Sequence, residues 1–233
     1  MQFADWIRQG GPEVFSLPRY VHLAAEDLKR SAQEAIQEAA AGKTRPFLAR
    51  RAPASMALLF MALEAWVNMQ LAMILHGAGD QPPRFREKLE KVLLQEPLNA
   101  KARKIPRYFG GKTLSGADHP DLPALVGLRH ELIHSLPATN RRGEVDRLDP
   151  LEAGGRDLLP DTGNPEVLYM LHERLESYDL AWWAWEVTRK LIEAIIDASD
   201  DDNFPPLHAA EYHYFDIHRK EGIPSPTEIA ARD

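Results

Sequence analysis

The stretch "GLRHELIHSLP", residues 127–137, sets Arg129, His130 and His134 into an otherwise leucine-rich run. An arginine can hold a phosphate or another oxyanion through charged hydrogen bonds. A histidine titrates near neutral pH, so it can both take and give a proton. Those residue types at this spacing could together bind a phosphate group and move a proton beside it. The surrounding leucines require that a helix present them, with Asp121 as its cap, Pro123 in its first turn and Pro137 at its end.

Advancing about 100° per residue from Leu122, the residues Leu122, Leu125, Val126, Leu132, Ile133 and Leu136 fall on one stripe. Arg129 falls within it, His130 and His134 at its edge, and Glu131 points away. A guanidinium held against a core needs an anion, because leaving it unpaired costs several kcal/mol, about the price of a lost buried ion partner. The segment 54–79 offers one. It is apolar nearly all round, but carries Glu64 and Asn68 one helical turn apart. The expectation is that Glu64 pairs with Arg129 across two packed helices, with Asn68 completing the hydrogen bonding. Taken alone, such a pair is equally what a purely structural ion pair looks like.

The segment 54–79 is long enough, at about 22 residues before its glycines, to cross a bilayer. Glu64, Asn68 and Gln70 at its centre argue instead for the buried central helix of a bundle, and no membrane is expected. An amphipathic helix over 19–42 should precede it, stopping at Gly42, and a shorter helix over 83–97 should follow. Next comes "NAKARKIPRYFGGK", read as a linker with five basic residues and no acid: Lys101, Arg103, Lys104, Arg107 and Lys112. Tyr108 and Phe109 are available there for base stacking, the combination that single-stranded RNA binding uses. By default the same run is a solvated loop.

Residues 138–163 are polar with Gly and Pro, and read as a long loop. Asn164 and Pro165 then open one long helix or two in succession, to about residue 199. The "WWAW" within it (Trp182, Trp183, Trp185) is read as core, or in its sharper form as a dimer contact. The remainder, 200–233, has four prolines and is expected to wrap the surface or be loosely ordered. No strand pattern or internal repeat is visible. The expected fold is an all-α bundle of four to six helices over 1–199, with a C-terminal extension.

Composition limits the function classes. A chain of 233 residues with 44% hydrophobic and 27% charged residues reads as an ordinary globular protein. With no cysteine there are no disulfides or thiolate ligands, and the early Asp5 argues against a signal peptide, so a cytoplasmic location is expected. The net charge of −7 argues against indiscriminate coating of nucleic acid, while leaving room for a local basic patch. His130 and His134 lack a third ligand at clear spacing, and His208, His213 and His218 share no helix face. No metal and no cofactor are expected.

"LRHELIH" resembles the R-polar-x-x-x-H signature of the HEPN superfamily, helical domains many of which are metal-independent ribonucleases, and "ALEAWVN" resembles the acidic-then-Asn helix that precedes it. The order of segments is similar over roughly 19–199, and the two motif helices carry the specificity. The resemblance implies a homodimer whose motif helices share one cleft. It implies that His134 serves as general acid/base in 2′-hydroxyl attack, that Arg129 holds the scissile phosphate, and that His130 orients one of these groups. Glu64 and Asn68 would support Arg129. RNA would be the substrate, and an antitoxin or defence-system protein a further partner. The alternative is a non-catalytic HEPN-like module binding a nucleotide or a protein.

Overall fold

The computed structural model describes residues 17–77, 82–117, 119–134, 158, 175–199 and 222–231. Among them are seven helices and no strand, so the fold is all-α. They are α1 (Leu17–Ala40), α2 (Ala52–Gly77), α3 (Pro83–Gln95), α4 (Leu98–Tyr108), α5 (Leu122–His134), α6 (Tyr178–Asp197) and α7 (Pro226–Ala230). Six of them lie within 1–199, where four to six are expected, and the basic stretch forms one of the six; the short seventh lies in the C-terminal extension. The loop expected over 138–163 and the histidines at 208, 213 and 218 lie outside the described residues, apart from Leu158.

Two alanine-rich faces make the first layer. On α1, Val21, Ala24, Ala25, Leu28, Ala32, Ala35 and Ala39 are buried at helical spacing. Their small side chains let α2 come close enough for Ser55 Oγ to donate to the Ala24 carbonyl at 2.9 Å. Gly42, with φ of 74°, supplies the left-handed residue that ends α1, as its position in the sequence predicts.

α2 packs against α1, α3, α4, α5 and α6, which is why nearly every face of it is apolar. It is the described helix long and apolar enough to cross a bilayer, and more than half of its apolar window is buried against its neighbours. Met61 and Met73 are the large side chains it leaves exposed.

α6 is capped by Ser177, whose Oγ accepts from the Leu180 N–H at 3.2 Å and donates to the Leu158 carbonyl at 2.6 Å. Its first turn is clasped to the α1–α2 connection. The fully buried Asp179 carboxylate takes Arg45 Nη2 at 2.6 Å and Nε at 2.7 Å on Oδ1, and the Phe47 N–H at 3.0 Å on Oδ2. The backbones of Tyr178 and Phe47 are joined at 3.0 Å and those of Ala49 and Glu176 at 2.8 Å. Trp185 is buried in the core, whereas Trp182 and Trp183 are half-buried. α7 rests on α1 and α6 through Ile223 and Ile229, and a Ser225–Glu228 capping box starts it.

Candidate functional site

α5 is wedged among α2, α4 and α6, so it is covered on more than one side. Leu122, Ala124, Leu125 and Leu128 are buried, while Val126 and Leu132 are only half-buried. The apolar stripe is therefore turned towards Leu128 relative to the one read from the sequence. A single-face count has no term for a second covering helix. Arg129, the next residue, still reaches α2, and its Nη2 meets Glu64 Oε2 at 2.5 Å.

The pair is not sealed. The Arg129 side chain is 24% exposed and that of Glu64 39%, so water and small anions reach it. This corrects the expectation of a buried carboxylate: α5 reaches Glu64 without covering it. A part-exposed pair contributes about 1 kcal/mol or less to stability. Glu64→Gln should therefore shift the unfolding free energy by no more than about 1 kcal/mol. Urea unfolding checks this, and a loss several times larger would mean the pair is structural cement.

Asn68 does not complete the Arg129 pair. Its Oδ1 accepts from Lys101 Nζ at 3.0 Å. Lys101 comes from α4, the segment read as a solvated basic linker, and is nine-tenths buried. The reason lies in the α4 pattern: Leu98, Lys101, Ala102, Ile105 and Phe109 are buried at helical spacing, and Lys101 occupies one place in that stripe. The stripe count that singles out Arg129 finds Lys101 too when applied to residues 98–109.

Burial pushes the Lys101 ammonium below its ordinary 10.5, and Arg129 pushes in the same direction, while Glu64 and Glu96 oppose them. A depressed lysine leaves the fold bearing the full cost of the charge below its folded pKa. Stability then rises with pH until the unfolded chain also loses the proton near 10.5.

The other basic residues divide. Lys104 forms an ion pair with Glu96, at 2.5 and 2.6 Å to the two oxygens. Arg103 donates through Nε to the Leu114 carbonyl at 2.8 Å, holding the turn after α4. Arg107 and Lys112 stand exposed. Phe109 is buried and cannot stack on a base, and half-buried Tyr108 meets Phe85 edge-on at 6.3 Å between centroids. The aromatic–basic groove expected there is thus reduced to two free-standing cations and one tyrosine.

His130 is half-buried on α5, next to Arg129. His134 is the last residue of α5, and the placement of its side chain lies outside the described residues. Among the described residues no cluster of three or more His, Asp or Glu could hold a metal.

Three helices thus bring two cations, one carboxylate and one amide to a single face of α2. Comparison with family models, curated proteins and solved structures finds no match to this chain. The likeness to HEPN domains accordingly stands on the residues themselves: Arg129, His130 and His134 on α5, Glu64 and Asn68 on α2. With both Arg129 and Lys101 protonated, the cluster carries one net positive charge, which suits an anion.

Proposed function

We propose that this chain is a metal-independent endoribonuclease of HEPN type, acting as a homodimer in which two α5 helices face one cleft. The observation that carries the reading is the Glu64–Arg129 pair, which joins the two motif helices while leaving part of the guanidinium open to solvent. In this reading Glu64 holds Arg129 in place, and Arg129 neutralises the charge that develops on the phosphorus-bound oxygens.

The reaction is an in-line transfer within RNA. The 2′ oxygen bonds to the adjacent phosphorus, its proton passing to the His134 imidazole, and the bond from phosphorus to the 5′ oxygen breaks. A proton returned by imidazolium, from the same or the second chain, completes the 5′ hydroxyl and leaves a 2′,3′-cyclic phosphate. His130, beside Arg129, orients the phosphate or the guanidinium. Exposed Arg107 and Lys112 add attraction for the strand, screened by salt as surface charges are.

The test is cleavage of a panel of RNAs, structured tRNA included, in the presence of EDTA. Arg129→Ala and His134→Ala should each lower the rate by about 10²–10³-fold, and a 2′-deoxy nucleotide at the cut should block it. Cleavage that needs a divalent ion, or that proceeds through a 2′-deoxy linkage, rejects the mechanism.

One observation favours a second reading, a non-catalytic HEPN-like module that binds a nucleotide or a protein. Arg129 is already engaged by Glu64, which reduces the charge it can lend a transition state. An intact dimer that binds nucleotides and leaves every RNA uncut selects this reading. On either reading, an antitoxin or defence-system partner rests on the HEPN likeness alone, and a cytoplasmic setting on the cysteine-free composition.

A further inference from the structure

Donors outnumber acceptors around Asn68. A guanidinium offers five N–H groups and an ammonium three. Among the described residues, Arg129 directs Nη2 to Glu64 and Lys101 directs Nζ to Asn68, and Arg129 Nε is buried with no acceptor. A buried donor without a partner is costly, and a part-buried ammonium hydrogen-bonded to a neutral amide oxygen is costly too. A ligand with several charged acceptor oxygens relieves the ammonium, and the exposed part of the guanidinium can share it.

The two cations are also held to a common place. Glu64 and Asn68 are one turn apart on α2, so the groups they grip share that face. The charges of Arg129 and Glu64 are both felt at Lys101, as is that of Glu96 at the end of α3. Lys101 is the member that the HEPN likeness does not assign to this cluster, since it arrives from α4.

We propose that Lys101 and Arg129 form one oxyanion cradle, which takes a single phosphate group on the solvent-facing side of the Glu64–Asn68 turn. Asn68 holds the ammonium as Glu64 holds the guanidinium, so each cation has its own positioning residue on α2. Assigning that phosphate to an RNA backbone rests on the proposed function above; the cradle itself does not. An arriving phosphate anion replaces the stabilisation that burial denies Lys101, so binding draws the ammonium towards full protonation.

The experiment follows the Lys101 side chain by NMR in protein carrying ¹³C-labelled lysine, with Lys101→Gln used only to assign the signal. Two probes are added separately: inorganic phosphate, and a 2′-O-methyl RNA hexamer that cannot be cut. Either probe should move the Lys101 titration upward by about one pH unit or more, equivalent to about tenfold tighter binding to the charged form. A Lys101 titration unmoved by both probes overturns the cradle, and the titration itself is read on the wild-type protein.

A second measurement compares affinities. Lys101→Met keeps the buried methylenes and removes the charge, so it should bind phosphate about tenfold more weakly while unfolding at equal or higher denaturant concentration. Wild-type affinity in that variant counts against the proposal. The arms also separate the two ideas. Probes that perturb Lys101 in a protein that cuts no RNA keep the cradle and sink the ribonuclease reading. Cutting at wild-type KM and kcat by Lys101→Met, with Lys101 silent to both probes, does the reverse. A response to phosphate but not to the hexamer keeps the cradle and assigns it to a free phosphate ligand.

Discussion

Asp179→Ala should destabilise the protein by about 3–5 kcal/mol, the cost of breaking a buried charge pair from one side. The carboxylate is fully buried and serves three donors: Nη2 and Nε of Arg45 and the Phe47 N–H. Removing it strands the Phe47 amide in the core and leaves only backbone bonds between the start of α6 and the α1–α2 connection among the described residues. Arg45, with 39% of its side chain exposed, regains water, which keeps the loss towards the lower end of that range. Arg45→Ala leaves the harder problem, a carboxylate at zero exposure without its guanidinium, and should cost as much. The double variant should lose less than the sum of the two, since neither group is then left alone. Urea unfolding of the three proteins measures this, and strictly additive losses would show that the clasp is not a coupled unit.

Gly111→Ala is expected to be nearly as damaging. A Cβ at this position would lie 1.8 Å from the Ala198 carbonyl oxygen, 2.8 Å from its carbon and 2.9 Å from the Ser199 Cα. All three are backbone atoms, so no side chain can swing aside. The end of α4 would have to separate from the end of α6, giving up the Lys112 N–H bond to that same carbonyl at 3.3 Å. A loss of about 3 kcal/mol is expected. Gly116→Ala is the control, because nothing lies within 4 Å of a Cβ there, and its effect should stay within about 0.5 kcal/mol. Equal melting temperatures for the two variants would refute the packing argument. A movement of α4 also displaces Lys101, so Gly111→Ala should weaken anion binding even at temperatures where it remains folded.

The all-α class was readable because apolar residues recur at helical spacing in every long segment. The Glu64–Arg129 contact was readable for a different reason: a charge within an apolar stripe must find a partner, and the chain offers few acids on apolar helices. What escaped the sequence was set by a third element each time. Pro97 and Pro106 resemble breakers of a linker, yet Pro97 precedes the first turn of α4 and Pro106 sits near its end, where few backbone bonds are lost. Reading the basic run as a solvated linker hid Lys101, and with it the partner of Asn68. The exposure of Glu64 depends on how far α5 reaches across α2, which no local pattern records. Asp179 stands between buried Tyr178 and Leu180, a local hint of burial, but its partners lie more than a hundred residues away.

That last separation has a consequence in time. Asp179 follows Phe47 by 132 residues, so on a chain synthesised at about 5–20 residues per second it emerges roughly 7 to 26 s later. Through that interval α1 and α2 have one another without the clasp: alanine-rich apolar contact, the Ser55 bond and the pairing of Arg51 with Asp27 and Glu34. The nascent hairpin meanwhile presents the apolar flank of α2 that α6 will later cover. The waiting period ends when α6 arrives, bringing its buried apolar face and the Asp179 carboxylate to the bundle together.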